Sequence, residues 1–232
     1  MATIALNLQS VNARIAAACA QAGRDAAGVT LLAVSKTQPA DAVRAAYDAG
    51  QHAFGENYVQ EGVDKIAVLT GLPGLEWHCI GPLQSNKTRL VAEYFDWAHG
   101  VDRLKIAERL SAQRPLGKPP LNVCIQVNID GGGSKAGVAP ADALALAQAV
   151  DGLPGLCLRG IMTIPDPAPL AQMRTWHARA RQLLDALRQA GLPLDTLSMG
   201  MSADLEAAIA EGATLVRVGT AIFGARPTRQ AA

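Results

Sequence analysis

Lys36 closes the apolar run Leu31-Leu32-Ala33-Val34-Ser35-Lys36. If Leu32 and Val34 point into a closed fold, alternation along a strand sends Lys36 the same way. Partial desolvation at such a mouth favours the neutral amine, which attacks aldehydes. A strand-end lysine can equally snorkel to water. Arg217 lies inside the run Leu215-Val216-Arg217-Val218-Gly219. A guanidinium stays charged and needs a partner when buried. Facing inward it could donate to a ring nitrogen or an anion; facing outward it could pair with a carboxylate. Two further segments could cradle a phosphate. Ser198-Met199-Gly200-Met201-Ser202 leads into a helix, and Gly219-Thr220-Ala221-Ile222-Phe223-Gly224 ends a strand. Both offer hydroxyls, small residues and backbone N–H groups, and a helix after Ser202 would add its positive end. Tight turns and a helix cap would use the same residues. Asn57, in Gly55-Glu56-Asn57-Tyr58, ends another strand-like run, and its amide could hold a ligand hydroxyl.

Other polar residues read as structural. His78, in Trp77-His78-Cys79-Ile80-Gly81, suits a core or supporting role. Lys87 and Arg89 suit a solvated helix face. Trp176 and His177 share a long helix, as packing and surface residues respectively. Gly131-Gly132-Gly133-Ser134-Lys135 lacks Walker spacing and reads as a flexible loop at the mouth. Metalloprotease, serine-hydrolase and dinucleotide-binding motifs do not occur in the chain.

The elements that must position these residues alternate. Eight apolar, β-branched runs are expected as strands: 30–36, 52–57, 75–81, 97–101, 121–129, 156–164, 196–200 and 215–219. Helical stretches are expected over 39–49, 86–94, 103–113, 140–150, 170–190 and 203–210, with Asp204 in the first turn of the last. Strand followed by helix, repeated, implies parallel strands with helical crossovers. Nearly continuous apolar strands suit a sheet covered on both faces. Eight units fit a closed (β/α)8 TIM-type barrel better than an open doubly wound sheet. One α/β domain over 1–232 is expected, with an N-terminal helix within 1–25 and a frayed tail over 225–232.

Lys plus Arg number 21 and Asp plus Glu 20, a net charge of +1. This gives no support to nucleic acid or an anionic membrane as partner. The 4 cysteines show no metal or redox spacing and suit small buried hydrophobes in a reducing compartment. The N-terminus lacks a secretory pattern, and the sequence has no apolar run of membrane-spanning length. A cytoplasmic, soluble protein is expected.

Seven segments carry a family resemblance: LLAVSKTQP, FGENYVQE, WHCIGPLQSNK, QVNI with GGSKAGV, LRGIMTIP, SMGMSADLEAAI and VRVGTAIFGAR. Together they resemble the pyridoxal phosphate (PLP) homeostasis family, over nearly the whole chain. The resemblance implies a barrel like the N-terminal domain of alanine racemase, of PLP fold type III. It implies that Lys36 is the Schiff-base lysine. It assigns the phosphate to Ser198, Gly219 and Thr220, with Met199, Gly200 and Ser202 close by. It sets Arg217 beside the pyridine nitrogen and Asn57 near the cofactor. Cys79, Thr163 and the Gly-rich stretch after Ile129 depart from the family pattern, away from these anchors.

An arginine at the pyridine nitrogen disfavours a protonated ring, which weakens PLP as an electron sink. The chain also shows no segment long enough for the second domain of alanine racemase. The expectation is therefore a PLP carrier or reservoir with no robust turnover. It would be a monomer in transient contact with PLP-dependent apo-enzymes. A PLP-dependent racemase or lyase is the alternative, and a PLP-free lysine-imine enzyme is a third reading.

Overall fold

The computed structural model describes residues 3–132 and 136–224. Part of the expected Gly-rich loop (133–135) and the expected frayed tail lie outside the described residues. The eight strands are β1 (Thr30–Val34), β2 (Ala53–Glu56), β3 (Glu76–Cys79), β4 (Trp97–Val101), β5 (Leu121–Val127), β6 (Leu156–Thr163), β7 (Thr196–Ser198) and β8 (Leu215–Val218). They close in sequence order into a barrel, and every neighbouring pair is parallel. β8 closes on β1, with Leu32 level with Arg217.

Most strands stop short of their expected ends. Lys36, Asn57, Gly81, Gly200 and Gly219 all fall just beyond the ladder, in the segments leaving it. Apolar character continues past the last ladder bond because these segments still cover the barrel's end. In (β/α)8 barrels this C-terminal rim is where sites are built.

The helices are α1 (Ile4–Gln21), α2 (Ala40–Asp48), α3 (Val59–Val68), α4 (Thr88–Tyr94), α5 (Leu104–Gln113), α6 (Ala143–Asp151), α7 (Leu170–Gln189), α8 (Leu205–Ala210) and α9 (Thr220–Phe223). α3 and α9 occupy stretches where the sequence pattern marked no helix. α3 contains Gly62, a poor helix former. A Cβ at Gly62 would lie 2.5 Å from the Phe95 ring, so close packing outweighs propensity there. α1 buries a stripe at Leu8, Val11, Ile15 and Ala18, the spacing of one helix face. It is tied to the rim behind α8, where Arg14 donates to Glu206 and to the Ser202 carbonyl.

The main core lies between the outer face of the sheet and the helices. The barrel's interior holds two separate small apolar groups: Leu32, Ile80 and Leu215, and Trp97, Cys124 and Met162. Three cysteines are buried as expected, and burial pushes the Cys79 and Cys124 thiols up to about 12. Cys157 instead is exposed, one residue into β6, where the strand's opening end faces water.

Candidate functional site

Lys36 is half-buried and follows β1 by two residues. Leu32 lies in the interior with Val34 packed against it, and Lys36 follows in a turn that the Gln38 N–H closes on the Ser35 carbonyl. Both neighbours of Lys36 are pinned. The Ser35 N–H donates to the Gly55 carbonyl, and its hydroxyl donates to Glu56 Oε1 at 2.6 Å. The Ser35 carbonyl accepts from Lys65 Nζ at 2.7 Å. On the other side the Thr37 N–H donates to Glu61, holding Thr37 at φ 65°. A β-branched residue in the left-handed region is strained and persists only when its surroundings hold it. Lys65 Nζ bridges Glu56 and Glu61, at 2.7 Å each, and so ties the clamp together. Burial raises the Glu56 carboxyl, against the pull of Lys65. Glu56, Glu61 and Lys65 were not singled out in the sequence. Two acids five apart in GENYVQE, with a lysine four residues on, were the available signal.

Arg217 lies inside the barrel and is buried. Its Nη1 donates to Ser198 Oγ at 2.7 Å, and its Nη2 donates to the Thr163 carbonyl at 2.8 Å. Ser198 and Thr163 are the last residues of β7 and β6, so the guanidinium sits at the rim end of the interior. Burial pushes Arg217 down to about 10, against the charge of Asp204, and it remains a cation at neutral pH. Ser198 Oγ also meets His99 Nδ1 at 3.1 Å, and His99 Nε2 meets His78 Nδ1 at 2.9 Å. His78 Nε2 reaches Glu76 Oε1 at 2.8 Å, and its ring stacks on Trp97. His78 is thus a buried interior residue, as the sequence suggested. His99, in the apolar strand β4, was missed.

The two rim loops differ from each other. Met199 donates its N–H to the Leu215 carbonyl and buries its side chain in the outer core, so neither faces the mouth. Gly200 turns at φ 88°, where a Cβ would lie 2.4 Å from that of Ala208. The helix after Ser202 starts later than expected, and no side chain caps its N-terminus. α8 starts only at Leu205, and the Asp204 carboxylate accepts the Met201 N–H at 2.7 Å and meets His177 Nε2 at 2.8 Å. Burial opposes ionisation of Asp204, but those hydrogen bonds hold its carboxyl below the usual range. His177, expected at the surface, is buried by this pairing beneath the loop. Ser202 is half-buried and Thr220 exposed, with α9 starting immediately after Gly219. Asn57 Oδ1 is buried and lacks a hydrogen-bond partner among the described residues. Thr163 Oγ1 is in the same state. Arg89 is solvated and pairs with Glu93, as expected of a helix face.

Burial holds His78 below the ordinary histidine range and His99 well below it. The unfolded chain takes protons on both near pH 6.5, which the folded chain resists. The stability they contribute is therefore complete above about pH 6.5 and lost as pH falls below it. Thermal melts of the ligand-free protein should be level between about pH 8 and pH 7 and then decline towards about pH 5. A Tm that held constant to the acid end would refute this burial of neutral imidazoles.

Among the described residues no helix is long and apolar enough to cross a membrane, and no cluster of side chains could hold a metal ion. Residues 6–227 match the family model of the alanine racemase N-terminal domain. A Pseudomonas aeruginosa relative named pyridoxal phosphate homeostasis protein is 62% identical over 226 residues, covering 97% of each chain. One of the same name from Escherichia coli K12 is 57% identical over 233 residues, covering 97% of this chain and 98% of its own. PipY of Synechococcus elongatus, solved with PLP bound, is 42% identical, with a TM-score of 0.84 over 96% of this chain and 100% of its own. Alanine racemase of Corynebacterium glutamicum shares the fold, at 18% identity and a TM-score of 0.68. The chain belongs to the alanine racemase N-terminal domain family, among its pyridoxal phosphate homeostasis proteins.

Proposed function

We propose that this protein holds PLP as a Schiff base on Lys36 and acts as an intracellular carrier or reservoir of the cofactor. The observation that carries this is a buried, permanently charged Arg217 at the rim end of the interior, on the strand paired with the one that leads to Lys36. The residues at the rim fit the group. The Lys36 amine would attack the aldehyde carbon, form the C=N bond and release one water. Asn57 Oδ1, a buried acceptor without a partner, would be satisfied by a ligand hydroxyl. Gly200, Ser202, Gly219 and Thr220 would take the phosphate through backbone N–H groups and two hydroxyls. Ser198 would act one step back, through Arg217, and Met199 would close the turn beneath Gly200.

Bound PLP would supply the aldehyde and a pyridine ring able to act as an electron sink. Arg217 beside the ring nitrogen opposes its protonation, because two cations would meet. That favours storage over turnover. Release would be hydrolysis of the C=N bond or exchange with another amine. The relatives' shared name, and PipY with PLP bound, support the same reading. The protein would work in the cytoplasm as a monomer, handing PLP to apo-enzymes in transient contact, without nucleic acid or membrane. Reduction of the PLP-loaded protein with borohydride, then peptide mapping, should find the pyridoxyl mass on Lys36. Finding it on another lysine, or steady amino-acid turnover lost on Lys36→Ala, would overturn the proposal.

A further inference from the structure

Five polar side chains inside the barrel form a single file that ends outside the proposed site. It runs from Arg217 through Ser198, His99 and His78 to Glu76. Glu76 opens β3, so it lies at the end of the barrel opposite the rim, with its side chain 47% exposed. The direction of every hydrogen bond follows from the two ends. The His78 hydrogen bond holds the Glu76 carboxyl below its usual range, so Glu76 only accepts. His78 Nε2 must therefore carry a hydrogen. Burial keeps His78 neutral, so its Nδ1 is bare and accepts from His99 Nε2. His99 is neutral for the same reason, so its own Nδ1 is bare. The proton in the His99–Ser198 contact then belongs to the serine hydroxyl. The other end agrees independently. Arg217 has only donors, so Ser198 Oγ must accept from it. All bonds point from cation to anion, and each polarises the next.

We infer that His99 and His78 are positioning residues of the rim site, a tautomer-fixed relay that consumes the hydroxyl proton of Ser198. Ser198 then meets Arg217 only as an acceptor. Arg217, held by Ser198 and the Thr163 carbonyl, is the donor left for the ligand. The reverse file would free the Ser198 proton and set two donors, Arg217 and His99, on one oxygen. The part played at the ligand rests on the PLP reading above; the tautomers do not.

Long-range nitrogen–proton correlation spectra of the ligand-free, full-length protein at neutral pH should show both rings as the Nε2–H tautomer. An Nδ1–H or doubly protonated ring at either position would overturn the relay. His99→Gln keeps an acceptor and a donor at about the imidazole's spacing, whereas His99→Phe keeps only the shape. PLP release should quicken at least about tenfold in His99→Phe, with a shifted absorption band, and be largely restored in His99→Gln. Equal release from wild type and His99→Phe would overturn the positioning role. So would equal impairment of both variants, which would mark packing as the cause. A wild-type chain that took up no PLP would refute the PLP reading, while the tautomer spectrum would still decide the relay.

Discussion

Replacing Lys36 by alanine is expected to abolish the imine absorption of the PLP-loaded protein, leaving only that of PLP held as the free aldehyde. PLP retention should weaken at least about a hundredfold, on the order of 3 kcal/mol. On the proposed reading the covalent link would be lost, while the proposed phosphate loops and Arg217 would remain to bind PLP reversibly. Lys36→Arg should fail equally, because a guanidinium keeps the charge but forms no imine. The fold should survive, since Lys36 is half-buried and lies beyond β1. Tm without ligand should stay within about 2–4 °C of wild type, the effect of roughly 1 kcal/mol in a chain of this size. A small primary amine added to Lys36→Ala with PLP should bring back part of the band. The decisive measurements are absorption spectra and the protein's mass after borohydride. A protein-bound pyridoxyl mass on Lys36→Ala, formed without added amine, would move the link to another side chain.

The barrel was legible because periodicity carries it. Eight apolar runs separated by helical stretches leave few topologies, and the strand closing at Val218 beside Thr30–Val34 follows from parallel pairing. Lys36 and Arg217 stood out for a related reason: a charged residue in or at the end of an apolar strand conflicts with burial. The residues alone left both open, the family resemblance supplied their roles, and the structure decides only that Arg217 turns inward. What remained hidden depends on register between strands. His78 and His99 lie 21 residues apart, and each alone reads as an ordinary core histidine. Only the pairing of His78 with Trp97 sets His99 against it across β3 and β4. The buried pair of Lys65 and Glu56 was hidden because a buried lysine on a helix looks like any solvated one until the helix's facing side is known. The same holds for His177, which only the docking of α7 against α8 turns inward. Asp204 was visible in the first turn, but its hold on the Met201 N–H and its pairing with His177 depend on how α7 docks beside that loop.

Lys65→Met should be the most damaging single substitution around Lys36 that leaves Lys36 itself in place. Lys65 is 6% exposed, and its ammonium bonds Ser35, Glu56 and Glu61 at once. Methionine matches the stem and removes the charge. Glu56, fully buried, keeps only the Ser35 hydroxyl as donor, and its Oε2 is already unpartnered. Breaking a buried pair in this way costs about 3–5 kcal/mol. In a chain of this length that lowers Tm by roughly 10 °C. The pH dependence carries the mechanism. Burial already raises the Glu56 carboxyl, and losing Lys65 raises it further. A carboxyl raised in the folded state binds its proton more readily there than in the unfolded chain. The variant's deficit should therefore be smaller at about pH 5 than at about pH 8. Adding Glu56→Gln to Lys65→Met should recover part of the loss, because the uncompensated charge is gone. PLP uptake should slow as well. Ser35 and Thr37 flank Lys36, and Lys65 braces both, directly through the Ser35 carbonyl and through Glu61 at the strained Thr37. A lysine whose flanking backbone is loosened meets the aldehyde in fewer of its conformations. If Tm fell as expected while the rate of uptake stayed at the wild-type value, the clamp would serve stability alone.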